Sequence, residues 1–220
     1  MAKGCDVEIV FFDCLDSTQT WLVAQLRQNA MQAPCAVCAK RQTHGIGSRG
    51  NAWDNVSSAL LFSFALPKAA LPHDLPLHAS ALYFGWLFKD LLAKQGSRVW
   101  LKYPNDLYVG AQKAGGVIVQ VVGENLGCGI GLNLDSGDSQ YGALEPHVRR
   151  DGLLEKYLAK DFAHISWKQT FSNYRLEFAN NEGFSFHHKG ALVPLKDAEL
   201  RDDGTLFYNG EILFNARFET

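Results

Sequence analysis

The chain has 220 residues, 47% hydrophobic and 20% charged, with 21 Lys+Arg against 23 Asp+Glu for a formal net charge of −2. This composition excludes a disordered chain, and the near balance of charge excludes bulk attraction to nucleic acid or to an anionic membrane surface. No apolar run reaches the roughly 18 residues of a membrane helix, and the opening MAKGCDVEIVFFD lacks a signal peptide's long apolar stretch, so a cytoplasmic globule is expected. In chain order, Val7–Phe12 reads as a strand, and Asp16-Ser17-Thr18 stands where a helix N-cap belongs. A helix over Gln19–Gln28 follows, with Trp21, Leu22 and Leu26 as its apolar stripe. Cys35–Arg41 reads as a strand, Gln42–Asn55 as a polar, glycine-rich loop, and Ser58–Leu66 as a further strand. Leu77–Lys94 is the clearest helix, since Leu77, Ala81, Phe84, Phe88 and Leu91 keep the 3.6 period and Gly96 follows as a stop. Strands are expected at Arg98–Lys102, Leu107–Val109, Lys113–Val122 and Leu126–Leu134, and helices at Leu153–Lys160 and Ile165–Asn180.

After Asn180 the texture changes to short alternating segments between Lys-Gly, Asp-Asp-Gly and Asn-Gly turns, which predicts four or five small strands. The expected class is mixed α/β (α+β): a mixed sheet with helices packed on one side, then a small β appendage. The boundary falls between a main domain, 1–180, and an appendage, 181–220. The appendage is too short for a core of its own and should lean on the rest.

The cysteines at positions 5, 14, 35, 38 and 128 are odd in number and are expected as free thiols. Cys35-Ala-Val-Cys38 has CxxC spacing but lies within a predicted strand, where residues three apart point to opposite faces. No second such pair or spaced histidines complete a metal site, so the packing reading outweighs the redox and metal readings.

Gly45-Ile46-Gly47-Ser48-Arg49-Gly50 matches GxGxxG, but it leads into a strand and nothing between Val56 and His73 is acidic, so the dinucleotide-binding reading fails. Kinase and Walker A readings fail for want of their companion motifs. What remains is a glycine-permitted loop with Lys40, Arg41, His44, Arg49 and Trp53 in or beside it. Its backbone N–H groups and arginine could hold a small anion, and Trp53 could stack on a flat base. Three further segments stand at predicted strand ends: Lys102-Tyr-Pro-Asn-Asp106, Lys113-Ala-Gly-Gly116 and Gly129-Ile-Gly-Leu-Asn133. Each alone reads as a turn or a packing glycine. Together, beside a basic glycine loop, they outline a site.

These residues together resemble the catalytic domain of the biotin protein ligases, from Asp16-Ser17-Thr18 to Asn133 and more weakly in the β appendage. Lys102-Tyr-Pro-Asn-Asp106 resembles the family's Lys-Trp-Pro-Asn-Asp, Lys113-Ala-Gly-Gly its Lys-x-x-Gly, and Gln42-Thr-His-Gly45 its biotin-contacting glutamine and glycine. The resemblance implies a biotin/lipoate-ligase-like sheet with a small C-terminal appendage, barrel-like in the manner of SH3 folds. It implies an ATP-dependent biotin–[acetyl-CoA-carboxylase] ligase that joins biotin and ATP to biotinyl-5′-AMP, then passes biotin to a lysine of a biotin carboxyl carrier protein. Carried over residue by residue, Lys113, Lys102 and Asp106 are catalytic. Ser17, Thr18, Gln19, Gln42, Gly45, Ile46, Gly47, Ser48, Lys113, Gly115 and Gly116 bind biotin, and Arg49, Trp53, Asn105, Gly129, Gly131 and Asn133 bind ATP or the adenylate. The division of roles among Lys102, Asn105 and Asp106 stays open. Mg²⁺ is implied with ATP through waters and phosphates, with Asp106 as its one candidate side chain and no protein cage.

Two departures from the family pattern stand out. Ser17 lies too near the start for the helix-turn-helix domain of repressor-type members, which argues against a nucleic-acid partner. The glycine loop has Ile46, Ser48 and Asn51 where the family usually has arginines, leaving Arg49 as its arginine. No membrane partner is implied, and a homodimer through a sheet edge stays open. The rival readings are a lipoate–protein ligase of the same fold, whose Arg-Arg-x-x-Gly-Gly-Gly element is absent, and a non-catalytic biotin- or nucleotide-sensing module, against which Lys113 counts.

Overall fold

The computed structural model describes residues 7–48, 51–53, 56–137 and 139–214. Its centre is a mixed sheet built from β1 (Glu8–Leu15), β2 (Cys35–Gln42), β3 (Ser58–Pro67), β4 (Trp100–Lys102), β5 (Asp106–Val109), β6 (Gln112–Val122) and β7 (Asn125–Asp135). The spatial order is β1-β2-β3-β7-β6-β5-β4. Only β1 and β2 pair in parallel; the remaining neighbours are antiparallel.

That single parallel pair explains the largest departure from expectation. A parallel connection must cross a face of the sheet, and the crossing is helix α1 (Thr18–Arg27). Its Leu22, Val23 and Leu26 bury against Cys35, Val37, Ala65 and Val122. Helices α2 (Ser80–Ala93), α3 (Leu153–Leu158) and α4 (Trp167–Glu177) cover the opposite face, where Phe62, Phe64, Phe84, Phe88, Tyr157, Phe171 and Tyr174 share the main core. Helices therefore lie on both sides of the sheet, not on one. Trp21 is not in the buried stripe of α1; it is half-buried and meets the Phe12 ring edge-on at 5.1 Å.

The strands otherwise fall close to their expected places. Ser17 is the N-cap of α1, its hydroxyl oxygen accepting from the Thr20 N–H. Leu77–Ala79 forms a 3₁₀ turn, so α2 starts three residues later than its periodicity suggests. The chain leaves that helix through Gly96 at φ +89°, a conformation glycine tolerates. Helix α4 is shorter than expected, since its start is fixed by Ser166 and by Asp74, whose carboxylate accepts from the Trp167 and Lys168 N–H groups. Cys35 and Cys38 do face opposite sides: one packs under α1, the other against the main core.

Beyond α4 come a two-stranded sheet, β8 (Ser185–His188) with β9 (Ala191–Pro194), and a three-stranded one, β10 (Glu199–Leu200), β11 (Leu206–Tyr208) and β12 (Glu211–Leu213). They do not close into the barrel-like form expected: among the described residues the two sheets stay separate and their strands hold two to four residues each. Leu195, Leu200 and Leu206 instead enter the main core. The Tyr103 hydroxyl donates to the Gly204 carbonyl at 2.9 Å, and Trp167 Nε1 to that of Asp202 at 3.1 Å.

Candidate functional site

Side chains alternate between the faces of a strand, and along β7 this alternation is extreme. Leu126, Cys128, Ile130 and Leu132 point into the main core, while glycines at 127, 129 and 131 occupy the face that α1 shares. Their cross-strand neighbours on that face are small as well: Ser63 opposite Gly129 on β3, and Gly116 opposite Gly131 on β6. Helix α1 covers only part of this face. The remainder is an open cleft enclosing about 450 Å³, part of it bulk solvent.

One end of the cleft is the start of α1. Its wall there holds Ser17, Thr18, Gln19, Gln42 and Ser63. Thr18 donates to Gln42 Oε1 from its backbone at 2.7 Å and from its hydroxyl at 3.0 Å, and the Ser63 hydroxyl donates to Thr18 Oγ1 at 3.0 Å. All four polar side chains after Ser17 are buried and each makes a hydrogen bond, but Gln19 Oε1 has no partner among the described residues.

The roof is the glycine loop, folded back on itself. Gly47 N–H donates to the Asn51 carbonyl at 2.7 Å, Ile46 and Ala52 form an isolated bridge, and Trp53 N–H donates to the Gly45 carbonyl at 2.8 Å. This delivers the Trp53 indole flat onto the glycine floor. A Cβ on Gly131 would stand 2.7 Å from the ring, and one on Gly116 3.7 Å from it.

The far end is charged. Lys113 Nζ lies 2.6 Å from one oxygen of Asp106, and Lys102 Nζ 3.7 Å from the other. The Asp106 side chain is only 17% exposed, so this carboxylate between two ammonium groups is partly shielded from screening by water. Asn105 fixes the turn beneath it, its Nδ2 donating to the Val117 carbonyl at 2.6 Å while the Val117 N–H returns to the Asn105 carbonyl at 2.8 Å.

Of the residues singled out in the sequence, Ser17, Thr18, Gln19, Gln42, Ile46, Gly47, Ser48, Trp53, Asn105, Asp106, Lys113, Gly116, Gly129 and Gly131 line this one cleft. Four others stand behind its wall. Gly45 gives way to the Gln42 amide and to Trp53; Gly115 abuts the Gly131 carbonyl, where a Cβ would come within 2.6 Å. Lys102 reaches Asp106 from the side and lies 5.3 Å over the Phe184 ring. Asn133 donates to the Gly142 carbonyl at 3.0 Å, while its buried Oδ1 has no hydrogen-bond partner among the described residues. Arg49 lies outside the described residues. Sequence reasoning missed Leu61, Phe62, Ser63, Val117, Ile118 and Ile130, which also line the cleft; Leu61, Ser63 and Ile118 alternate with the others along their strands. The alternating glycines of β7 were the local signal that could have pointed to the face of those three. No cluster of three or more metal-ligating side chains occurs among the described residues, and no helix among them is long and apolar enough to cross a membrane.

The chain matches the biotin/lipoate A/B protein ligase family over residues 11–135, more than half its length, and belongs to that family. It is 46% identical to the biotin acetyl coenzyme A carboxylase synthetase of Helicobacter pylori, solved with bound biotinylated ATP, at a TM-score of 0.89 over 95% of this chain and 100% of that one. The fold is shared with the Aquifex aeolicus biotin protein ligase solved with biotin and ATP, at 21% identity and a TM-score of 0.70 over 94% of each chain. A 105-residue stretch is 32% identical to biotin–protein ligase 1, chloroplastic, of Arabidopsis thaliana, spanning 44% of this chain but only 28% of that protein.

Proposed function

We propose that this chain is a biotin–protein ligase, using ATP to activate biotin and transferring it to a lysine of a biotin carboxyl carrier protein. The observation that supports it best is the two-ended cleft: a network of amides and hydroxyls that can pair with a cyclic urea, and Lys113 at the other end, where a carboxylate and a phosphate would meet. The biotinylated ATP bound to the 46% identical relative points the same way.

In this reading the ring of biotin enters at Thr18 and Gln42, and its carboxylate reaches toward Lys113. A carboxylate oxygen attacks the α-phosphorus of ATP; the bond to the β-phosphate oxygen breaks and pyrophosphate leaves. The carrier lysine, as a free amine, then attacks the carbonyl carbon of the mixed anhydride, and AMP departs. Both steps gather negative charge beside Lys113, and a preorganised cation there stabilises the transition state more than the ground state. Asp106 holds that ammonium in place and Lys102 closes the pair from the other side. Trp53, seated over Gly131, would stack on adenine, with Asn133 behind it. The chemistry falls to residues 1–180, and the appendage at 181–220 braces Tyr103 beside the Asn105–Asp106 turn. Mg²⁺ would come with the ATP phosphates, because the carboxylate on hand, Asp106, already faces two lysines.

A lipoate ligase would share this adenylation chemistry, but a dithiolane ring carries no N–H or C=O to satisfy the buried polar end. Incubating the protein with ATP-Mg²⁺, a carrier domain and either biotin or lipoate decides the matter by mass. A biotinyl adduct on the carrier is expected; a lipoyl adduct, or an unmodified carrier with ligand bound, would overturn the reading.

A further inference from the structure

The Lys102–Asp106 turn is gripped from behind by another tight turn of the chain. Strand β4 is the last of the sheet, so the buried residue that follows it, Tyr103, has no outer strand to take its backbone N–H. Asn181, 1% exposed, takes it instead: its Oδ1 accepts from the Tyr103 N–H at 2.8 Å, and its Nδ2 donates to the Phe178 carbonyl at 3.0 Å. Asn181 also opens a turn that Phe184 closes, the Phe184 N–H donating to the Asn181 carbonyl at 2.9 Å. The Phe184 carbonyl accepts from the Leu195 N–H at 2.8 Å, which ties this turn to a residue of the main core. The Phe184 ring lies under the Lys102 ammonium at 5.3 Å, and the Tyr108 ring is 6.0 Å from it. Phe184 packs in turn against the Tyr108 and Trp100 rings, at 5.2 and 5.6 Å. Lys102 is thus held among aromatic faces, its side chain only 16% exposed.

We propose that Asn181 and Phe184 are positioning residues for the ligase reaction: Asn181 fixes the backbone of the Lys102–Asp106 turn, and Phe184 fixes the Lys102 ammonium beside Asp106. The proposal rests on the ligase reading and extends it to residues that do not line the cleft. A lysine is a point charge on a flexible four-carbon stem, so a free one spreads its charge over many positions. Asp106 alone does not settle the place of Lys102, because its other oxygen is already taken by Lys113 at 2.6 Å, against 3.7 Å for Lys102. An aromatic face attracts a cation electrostatically, more strongly when the pair is withdrawn from water. A cation stabilises charge developing in a transition state best when it is held in place before the reaction begins. The effect of Asn181 and Phe184 therefore reaches the chemistry through Tyr103 and Lys102.

The test is single-turnover adenylate formation from biotin and ATP by the full chain. Phe184→Leu keeps an apolar side chain but removes the ring, and should slow this step roughly 3- to 30-fold with biotin affinity unchanged. Phe184→Tyr keeps the ring, its hydroxyl free to reach the open groove that residue 184 also lines, and should recover most of the rate. In a Lys102→Met background, Phe184→Leu should add no further loss. Asn181→Leu should slow the step about tenfold, and Asn181→Asp, which keeps an acceptor for Tyr103, should fall between it and the wild type. Should Asn181→Leu fail to fold, the Phe184 series decides. A readout apart from activity is the NMR resonance of the Lys102 ε-methylene, which a ring facing it moves upfield; that displacement should vanish in Phe184→Leu. A wild-type protein that forms no adenylate overturns the ligase reading, while the Lys102 resonance still reports whether the ring holds the lysine. Full rate in folded Phe184→Leu or Asn181→Leu, equal losses with and without Lys102, or a Lys102 resonance that Phe184→Leu leaves in place overturns the positioning alone.

Discussion

The two faces of β7 put one strand to opposite uses. Leu126, Cys128, Ile130 and Leu132 are buried to within 2% of completeness beneath the helices of the main core. Two of the glycines between them, Gly129 and Gly131, floor an open cleft. A filled face supplies stability by excluding water, whereas a bare one supplies room: it lets a tryptophan, polar side chains and a ligand approach the backbone itself. Stability and function are thereby separated by the pleat of a strand, at residues one position apart. Substitutions on the filled face should change stability and spare binding, and those on the bare face should do the reverse.

The hardest test of that separation is Phe64→Ala. Phe64 is 1% exposed on the filled side of β3, with the Phe84, Tyr157 and Phe162 rings 5.2–5.9 Å away. Removing the ring should cost about 3–5 kcal/mol of stability, read by denaturant unfolding, while biotin affinity in the folded fraction stays within about twofold of normal. A tenfold loss of affinity would mean that the faces are coupled through the sheet. Next in size is Lys113→Ala at the cleft's charged end, where the side chain is 36% exposed and pairs with Asp106. Adenylate formation should fall about 10²–10³-fold, the scale for removing one preorganised donor, with the unfolding midpoint unmoved. Near-normal single-turnover rates would take Lys113 out of the chemistry.

Much of the filled face was legible in the sequence, because it is written locally. The apolar period of α2, the strand runs and the opposite facing of Cys35 and Cys38 all follow from spacing within one element. The bare face was less legible, because its partners are far apart in the chain. Ser63 and Gly129 are 66 positions apart and meet only through the β3–β7 register, so nothing around Ser63 marks it. The side on which α1 lies depends on β1 and β2 running parallel, which no local pattern states. Asp74 caps α4 from 93 residues away. The motif residues at the strand ends could be picked out by resemblance, but which of them face the cleft and which stand behind it, as Gly115 and Lys102 do, is decided by register alone.

The smallest expected effect concerns Trp53 and the glycine beneath it. Trp53→Ala should weaken ATP more than biotin, by about 1–3 kcal/mol if the indole stacks on a base. Gly131→Ala asks whether the seat matters as well as the ring, since its Cβ would stand 2.7–3.0 Å from three atoms of the indole. The tryptophan sits on a loop and not on a strand of the sheet, so it should lift, not break the strand. Alanine also loses less conformational freedom on folding than glycine, by about 0.4–1 kcal/mol, which offsets part of the crowding. Stability should therefore hold to within about 1 kcal/mol while ATP affinity falls nearly as far as in Trp53→Ala. Combining the two changes makes the test quantitative. If Gly131 acts only by seating Trp53, the second substitution adds nothing once the first is made, and the double variant matches Trp53→Ala. Additive losses of ATP affinity would show that Gly131 touches the nucleotide directly, and the bare face would then be a ligand surface first and a tryptophan seat second.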